Sequence, residues 1–271
     1  MNHNIITSIN DYLTYIDKTQ SLFIGNLKWY RAENQSYCET LLTPGLFREY
    51  IKGPSTTQPF YVKELSTRNL FQLEAYSYLN NENLLQNDLM TTFVMQHYGA
   101  ETRLLDWSDN ALIALFFAVE NTRSDNEAII WVLDPLKLNA SNIKEIKNKE
   151  MDELKIYTSL KNTEEVDNYF NIHLLEDKKI EVRYPIAIKP HYLDSRMKNQ
   201  GSCFTLFGYD KKGLINHPLN DAFLQKLIIP KNHFRKIKRD LFKLGISYDS
   251  IYPGVEGISK KINYSFDEYF C

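Results

Sequence analysis

Residues Gln96 to Glu120 read QHYGAETRLLDWSDNALIALFFAVE. His97, Tyr98, Glu101, Arg103, Asp106 and Trp107 fall within eleven residues. An almost wholly apolar stretch follows at once. Charged side chains are rarely buried unless paired. So many polar groups beside a core element must therefore neutralise one another or face a ligand. Thr102 to Trp107 is short and bounded, which reads as a buried strand. Ser108 or Asp109 then caps a helix over Asn110 to Asn121. A helix apolar nearly all round is buried on most of its sides. A strand feeding directly into a buried helix points to a mixed α+β core.

Working outward, Asp88 to Tyr98 recurs at helical spacing and stops at Gly99. Val62 to Leu79 reads as a longer helix and Thr43 to Gly53 as a turn with a short helical piece. Leu22 to Ala32 reads as a strand arriving at Arg31. Ile6 to Lys18 reads as a first helix capped by Thr7 or Ser8. On the far side, EAIIWVLD (Glu127 to Asp134) reads as a strand ended by Pro135. Residues 137–179 are rich in Asn, Lys, Glu and Asp and lack sustained periodicity. They read as an insertion of small helices or a mobile excursion. Patterning resumes with strands at Ile180 to Lys189, Ser202 to Phe207 and Leu227 to Pro230. A helix over Lys231 to Leu244 follows, begun by Pro230 and stopped by Gly245. The chain then leads to a last strand or turn carrying Glu256. With no internal repeat and no forcing linker, 1–271 is expected to be a single domain.

The 271 residues are 43% hydrophobic, enough for a real core, and their formal charge of -2 favours no partner class. Cys38, Cys203 and Cys271 are far apart and odd in number, so neither a zinc site nor a disulfide framework is expected. His3, His173, His191, His217 and His233 have no metal-like spacing, and no metal is expected. The start, MNHNIITSINDYLTYIDK, has no basic segment followed by an apolar run. The longest apolar run, Ala111 to Val119, is too short to span a bilayer. The expectation is a cytoplasmic protein with no membrane partner.

Several segments carry a family resemblance: WYRAENQ, LTPGLFR, QHYGAETRLLDWSDNALIALFFAVE, WVLDPLKLN, RMKNQGSCFTLFG and GISYDSIYPGVEGISKKI. In this order the chain resembles the FRG-domain family, over Lys28 to Asn139 and Ile180 to Ile262. Ala32 stands where that family often has Gly. A second likeness is to the ADP-ribosyltransferase superfamily. There a Tyr-Arg strand, a polar strand leading into a helix ending Phe-Ala, and a late Glu make the site. Here those roles would fall on Tyr30-Arg31, on Leu104 to Ser108 with Ala114 to Ala118, and on Glu256. The Ser-Thr-Ser triplet of that superfamily is absent; the strand reads LLDWS.

That likeness implies an ADP-ribosyltransferase-like mixed sheet flanked by helices, with NAD+ as donor substrate. Breaking the nicotinamide–ribose bond develops oxocarbenium character, which a carboxylate stabilises. Glu256, between Gly254 and Gly257, is the expected catalytic acid. Arg31 offers a planar fork for a pyrophosphate. Tyr30, His97, Tyr98, Trp107 and Ser108 complete the expected NAD+ site, with Tyr98 and Trp107 as stacking faces. Each has a plainer reading. Arg31 could pair with Glu33 or Asp106, Trp107 could be core, and His97 could bond a core carbonyl. Glu256 could simply be solvated. Arg103 and Asp106 read as a structural ion pair, and Gln200 as a bracing amide. Lys231, Arg235, Lys236, Lys238 and Arg239 form a basic face suited to nucleic-acid phosphates, or merely a solvated one.

Together these imply a toxin or anti-phage effector that transfers ADP-ribose to a macromolecule. RNA is slightly preferred as acceptor, and a neutralising antitoxin-like partner keeps the effector silent. A non-catalytic sensor of a nucleotide or phage component is the first alternative. A nuclease comes third, because no metal-binding carboxylate cluster is legible.

Overall fold

The computed structural model describes residues 4–19, 27–34, 40–53, 58–79, 87–121, 126–147, 155–158 and 163–269. Residues 22–26 of the expected first strand lie outside these, as do His3, Cys38, Cys271 and parts of the polar stretch. The strands are β1 (Asn4–Ile5), β2 (Trp29–Asn34), β3 (Leu104–Ser108), β4 (Ala128–Leu133), β5 (Tyr157–Thr158), β6 (Ile186–Lys189), β7 (Ser202–Leu206) and β8 (Leu224–Ile229). Among the described residues they form one eight-stranded sheet in the order β1-β8-β4-β2-β3-β7-β6-β5. The outermost pairs, β1 with β8 and β5 with β6, are parallel; the inner pairs are antiparallel. The mixed α/β class is as expected.

Both faces of the sheet are covered, and strand periodicity assigns the residues to them. Trp29 and Trp131 belong to one apolar cluster, while their neighbours Tyr30 and Val132 belong to the other. The first cluster takes in the helices Gly45–Lys52, Phe60–Ala75 and Asp88–His97, through Phe47, Phe60 and Phe93. The second takes in Ile9–Lys18, Ala111–Val119 and Phe234–Lys243, through Tyr12, Phe116 and Ile237. Ala111–Val119 lies against the sheet, and the helix Phe234–Lys243 packs on it from outside.

Local chemistry sets the helix ends. Ser8 accepts from the Asp11 N–H and Asn87 from the Met90 N–H, each capping its helix. The buried helix is capped by Asn110, which accepts from the Leu112 and Ile113 N–H groups, and not by Ser108 or Asp109. Gly99 and Gly245 take positive φ just past their helices, as a stop requires.

Three expected elements differ. Ile180–Val182 is a short 3-10 turn, and the strand begins only at Ile186. The segment carrying Glu256 is helical: Tyr248–Ile251 is one turn, and Val255–Tyr269 is a closing helix with Glu256 in its first turn. The polar stretch differs least: small helices, one of its two expected forms, occur over its described residues, but they pack into the core. Pro135 starts a helix, Pro135–Lys147. In it the buried Asn139 pairs with Ala187 of β6 through both its amide groups. Val166, Tyr169 and Leu175 are buried in the first cluster. Polar residues that serve as internal hydrogen-bond partners, on helices too short to show a period, hide this packing from the sequence.

Candidate functional site

β2 and β3 are neighbours, yet they register at a single pair, Tyr30↔Ser108. By contrast β2 pairs with β4 from Trp29 to Asn34, and β3 with β7 from Leu104 to Ser108. Beyond Tyr30 and Ser108 the two strands part, and a cavity of about 390 Å³ opens there. Arg31, Asp106, Ser108, Phe117, Arg196 and Gln200 are among the residues that line it. A recess of about 100 Å³ adjoins it, sharing Gln96, Asp106, Arg196, Gln200 and Ser202 and adding His97.

Arg31 bridges the parted strands. Its Nε donates to Glu33 Oε1 at 2.9 Å and its Nη1 to the Asp106 main-chain oxygen at 2.8 Å. Glu33 is itself fixed, accepting from the Leu42 N–H and from Trp131 Nε1. The plainer readings of Arg31, partnership with Glu33 or Asp106, both hold, and Arg31 still faces the cavity.

Asp106 is the carboxylate of the cleft. Gln96 Nε2 donates to its Oδ2 at 2.9 Å. Thr102 Oγ1 donates to Gln96 Oε1 at 2.6 Å, which turns the amide nitrogen toward Asp106. The Asp106 side chain is open to the cleft but has protein around it on the walls. That desolvation pushes its pKa up, against the opposing pull of Arg31 and the Gln96 hydrogen bond. A raised carboxyl in a cleft beside guanidinium groups is the arrangement found where protons or developing charge are handled.

The mouth is braced by the β3 exit and the β7 entry. Ser108 Oγ donates to the Gln200 oxygen at 2.7 Å, and the Asp109 N–H donates to the Gly201 oxygen at 2.8 Å. Gly201 has φ +56, and a Cβ there would sit 2.1 Å from Asp109 Oδ1. The left-handed backbone favours glycine, and any side chain there would displace the Asp109 carboxylate. Gln200 lines the cavity and braces it twice, its main-chain oxygen accepting from Ser108 and its side-chain Nε2 donating to the Ile251 oxygen at 3.5 Å.

Several expected site residues fall elsewhere. Glu256 does not line the cavity; its exposed carboxylate pairs with Lys260 at 2.8 Å. The Lys260 hydrogen bond holds its pKa down. A first helical turn, not a glycine-flanked loop, aims it outward. Tyr98 is 66% exposed and lines neither hollow. Trp107 borders the cavity, but its indole is buried and donates to Thr205 Oγ1, so it is core and not a platform. His97 reaches only the recess and pairs with Asp194 at 3.3 Å. Tyr30 lines the cavity with its hydroxyl pushed up to about 12 by burial.

Arg103 does not pair with Asp106. Fully buried, it donates from Nε to both oxygens of Glu64, from Nη1 to the Phe207 oxygen and from Nη2 to the Tyr169 oxygen. Of the basic face, Lys231, Arg235, Lys236 and Arg239 are exposed. Lys238 is buried and donates to the Glu120 main-chain oxygen and the Tyr248 hydroxyl. It shares the helix face of buried Phe234, Ile237 and Leu241.

The sequence reasoning missed Gln96, Phe117, Arg196 and Ser202. Gln96 opens the decisive stretch, and Arg196 stands four residues before Gln200 on one short helical face, Ser195–Asn199. No group of three or more metal-ligating side chains occurs among the described residues. No helix among them is long and apolar enough to cross a membrane.

Residues 27–127 match the model of the FRG domain. No curated protein and no solved structure matches the chain. The matched segment supplies Arg31, Gln96, Asp106, Ser108 and Phe117; Arg196, Gln200 and Ser202, which close the cavity, come from chain beyond it.

Proposed function

We propose that this FRG-domain chain transfers ADP-ribose from NAD+ to a macromolecule, with Asp106 in the role first given to Glu256. One observation carries the reading: a carboxylate and two guanidinium side chains share the hollow between the parted strands β2 and β3. Its volume, about 390 Å³, lies within the range of about 300–1,000 Å³ common to small-molecule sites. The order of a Tyr-Arg strand, a polar strand and a buried helix adds the superfamily likeness.

In the proposed step the C1′–N bond of the nicotinamide riboside breaks, and its electron pair leaves on the nicotinamide ring nitrogen. Positive charge grows on the ribose C1′ and O4′. Asp106, oriented by Gln96, faces that charge as an anion. The acceptor oxygen or nitrogen bonds to C1′ and gives up its proton to solvent water. Arg31 keeps the two strands at the distance that leaves the hollow open. The exposed cations Lys231, Arg235, Lys236 and Arg239 suit an RNA acceptor. In this reading the protein is a cytoplasmic toxin or anti-phage effector restrained by a partner protein.

The test is incubation of the pure chain with labelled NAD+ and cell RNA or protein. Wild type should pass label to the macromolecule, and Asp106→Asn should pass about a hundred- to thousandfold less. Label transfer by a folded Asp106→Asn variant at the wild-type rate removes Asp106 from the chemistry. A second reading, a nucleotide sensor, is favoured by Arg31 being already bonded inside the protein. Binding of NAD+ without turnover would establish it.

A further inference from the structure

Arg196 is the cation of the cleft whose hydrogen-bonding capacity is unspent. A guanidinium has five N–H donors. Arg103 uses its donors on Glu64, Phe207 and Tyr169, and Arg31 spends two on Glu33 and Asp106. The Arg196 guanidinium makes no hydrogen bond or ion pair with any described residue, although Arg196 lines both the cavity and the recess.

It is nevertheless held in place. Its guanidinium lies over the Tyr252 ring, 5.3 Å from the centroid. Tyr252 is fixed in turn. Tyr248 stacks on it at 22° between planes, the Phe117 edge meets it at 6.2 Å, and Lys260 lies 4.7 Å from its centroid. Its hydroxyl is 3.4 Å from both oxygens of Glu120. The closing helix can approach this turn because residue 257 is glycine; a Cβ there would sit 1.9 Å from the Tyr252 oxygen. The ring contact holds the guanidinium beside the cavity with its N–H donors uncommitted. That is a receptor for a planar or bidentate anion, built without using the donors that would bind it.

We propose that Arg196 is the diphosphate anchor of the cleft and that Tyr252 is its positioning residue. This rests on the reading of the cleft as a dinucleotide site, and it moves the phosphate-binding role from Arg31 to a residue outside the FRG-matched segment. Arg31, with its Nε and Nη1 engaged inside the protein, acts on the strand gap instead.

The experiment is equilibrium binding of ADP-ribose, ADP and adenosine to wild type, Arg196→Ala, Arg196→Lys, Tyr252→Phe and Tyr252→Leu. Arg235→Ala, on the exposed face of the basic helix, controls for net charge. Arg196→Ala should weaken ADP-ribose and ADP about ten- to hundredfold and leave adenosine unchanged. Arg196→Lys should recover only part of that loss, because an ammonium has no flat fork. Tyr252→Phe should bind like wild type, since the ring does the positioning, and Tyr252→Leu should be several-fold weaker for the diphosphates alone. Wild-type ADP-ribose affinity in Arg196→Ala overturns the anchor while leaving the cleft reading intact. A wild type that binds none of the three ligands overturns both.

Discussion

The Arg31 guanidinium reaches across the split between β2 and β3 and donates to the main-chain oxygen of Asp106 at 2.8 Å. A side chain thus supplies a cross-strand bond where the ladder has stopped, and the carboxyl of that same Asp106 is left facing the hollow. The bridge and the candidate acid are two ends of one residue, so disturbing the first should move the second.

Arg31→Lys keeps the charge but loses the fork that serves Glu33 and Asp106 together. The lost charged hydrogen bonds should cost about 1.5–3 kcal/mol of stability, seen as a lower urea midpoint with an unchanged slope. Label transfer should fall as well. Full activity with an intact midpoint would make the bridge dispensable.

Glu64→Gln leaves the buried Arg103 guanidinium with no compensating charge. The expected loss is about 3–5 kcal/mol, measured by denaturant unfolding. The variant should unfold early even though it lies away from the cleft. A loss under about 1 kcal/mol would mean that the Phe207 and Tyr169 carbonyls suffice for Arg103.

Glu256→Ala should leave label transfer and thermal midpoint unchanged. Its carboxylate is exposed, paired only along its own helix with Lys260, and absent from the cavity wall. A large loss of transfer in a folded Glu256→Ala variant would return the acid to the chemistry and displace Asp106.

His217 gives the fold an acid-sensitive point. Its Nδ1 accepts from the Leu219 N–H, and burial depresses its pKa to about 4 from an ordinary 6.5. Between those values the unfolded chain takes up a proton that the native ring refuses. Stability attributable to His217 should therefore fall as pH drops from about 6.5 toward 4, and level off below. The carboxyls of Asp106 and Glu120, raised mainly by burial, act with the opposite sign: they lower stability as pH rises through their native values. The clean measurement is the difference between wild type and His217→Asn, whose side-chain oxygen can still accept from Leu219. The wild type should lose more stability than the variant between pH 7 and 5. Parallel curves would exclude the ring as the titrating group.

Most of the local structure was legible because it depends on neighbours in the chain. The buried helix after Trp107, the stop at Gly99 and the β4 strand follow from period, capping and turn chemistry. The pairing of Arg31 with Glu33, two residues apart on one strand face, was legible only as the plainer alternative to a ligand role. The packing of the polar stretch over its described residues was not legible, since its short helices show no period and polar groups such as Asn139 are satisfied by distant partners, Lys155 and Ala187 of β6.

What the sequence determined by itself was the mixed class, the decisive stretch and most of one wall of the cleft, all within or near the segment matched at 27–127. Only the tertiary structure decided which charges meet. Arg103 and Asp106 are three residues apart in sequence, yet Arg103 turns into the core toward Glu64 and Asp106 toward Gln96 and the hollow. Glu256 sits among glycines in the sequence, but a helical turn sends it outward, while Arg196, quoted in RMKNQGSCFTLFG but given no site role there, lies over Tyr252 at the cleft. Ion pairing depends on distances in space across elements that adjacency in the chain does not encode.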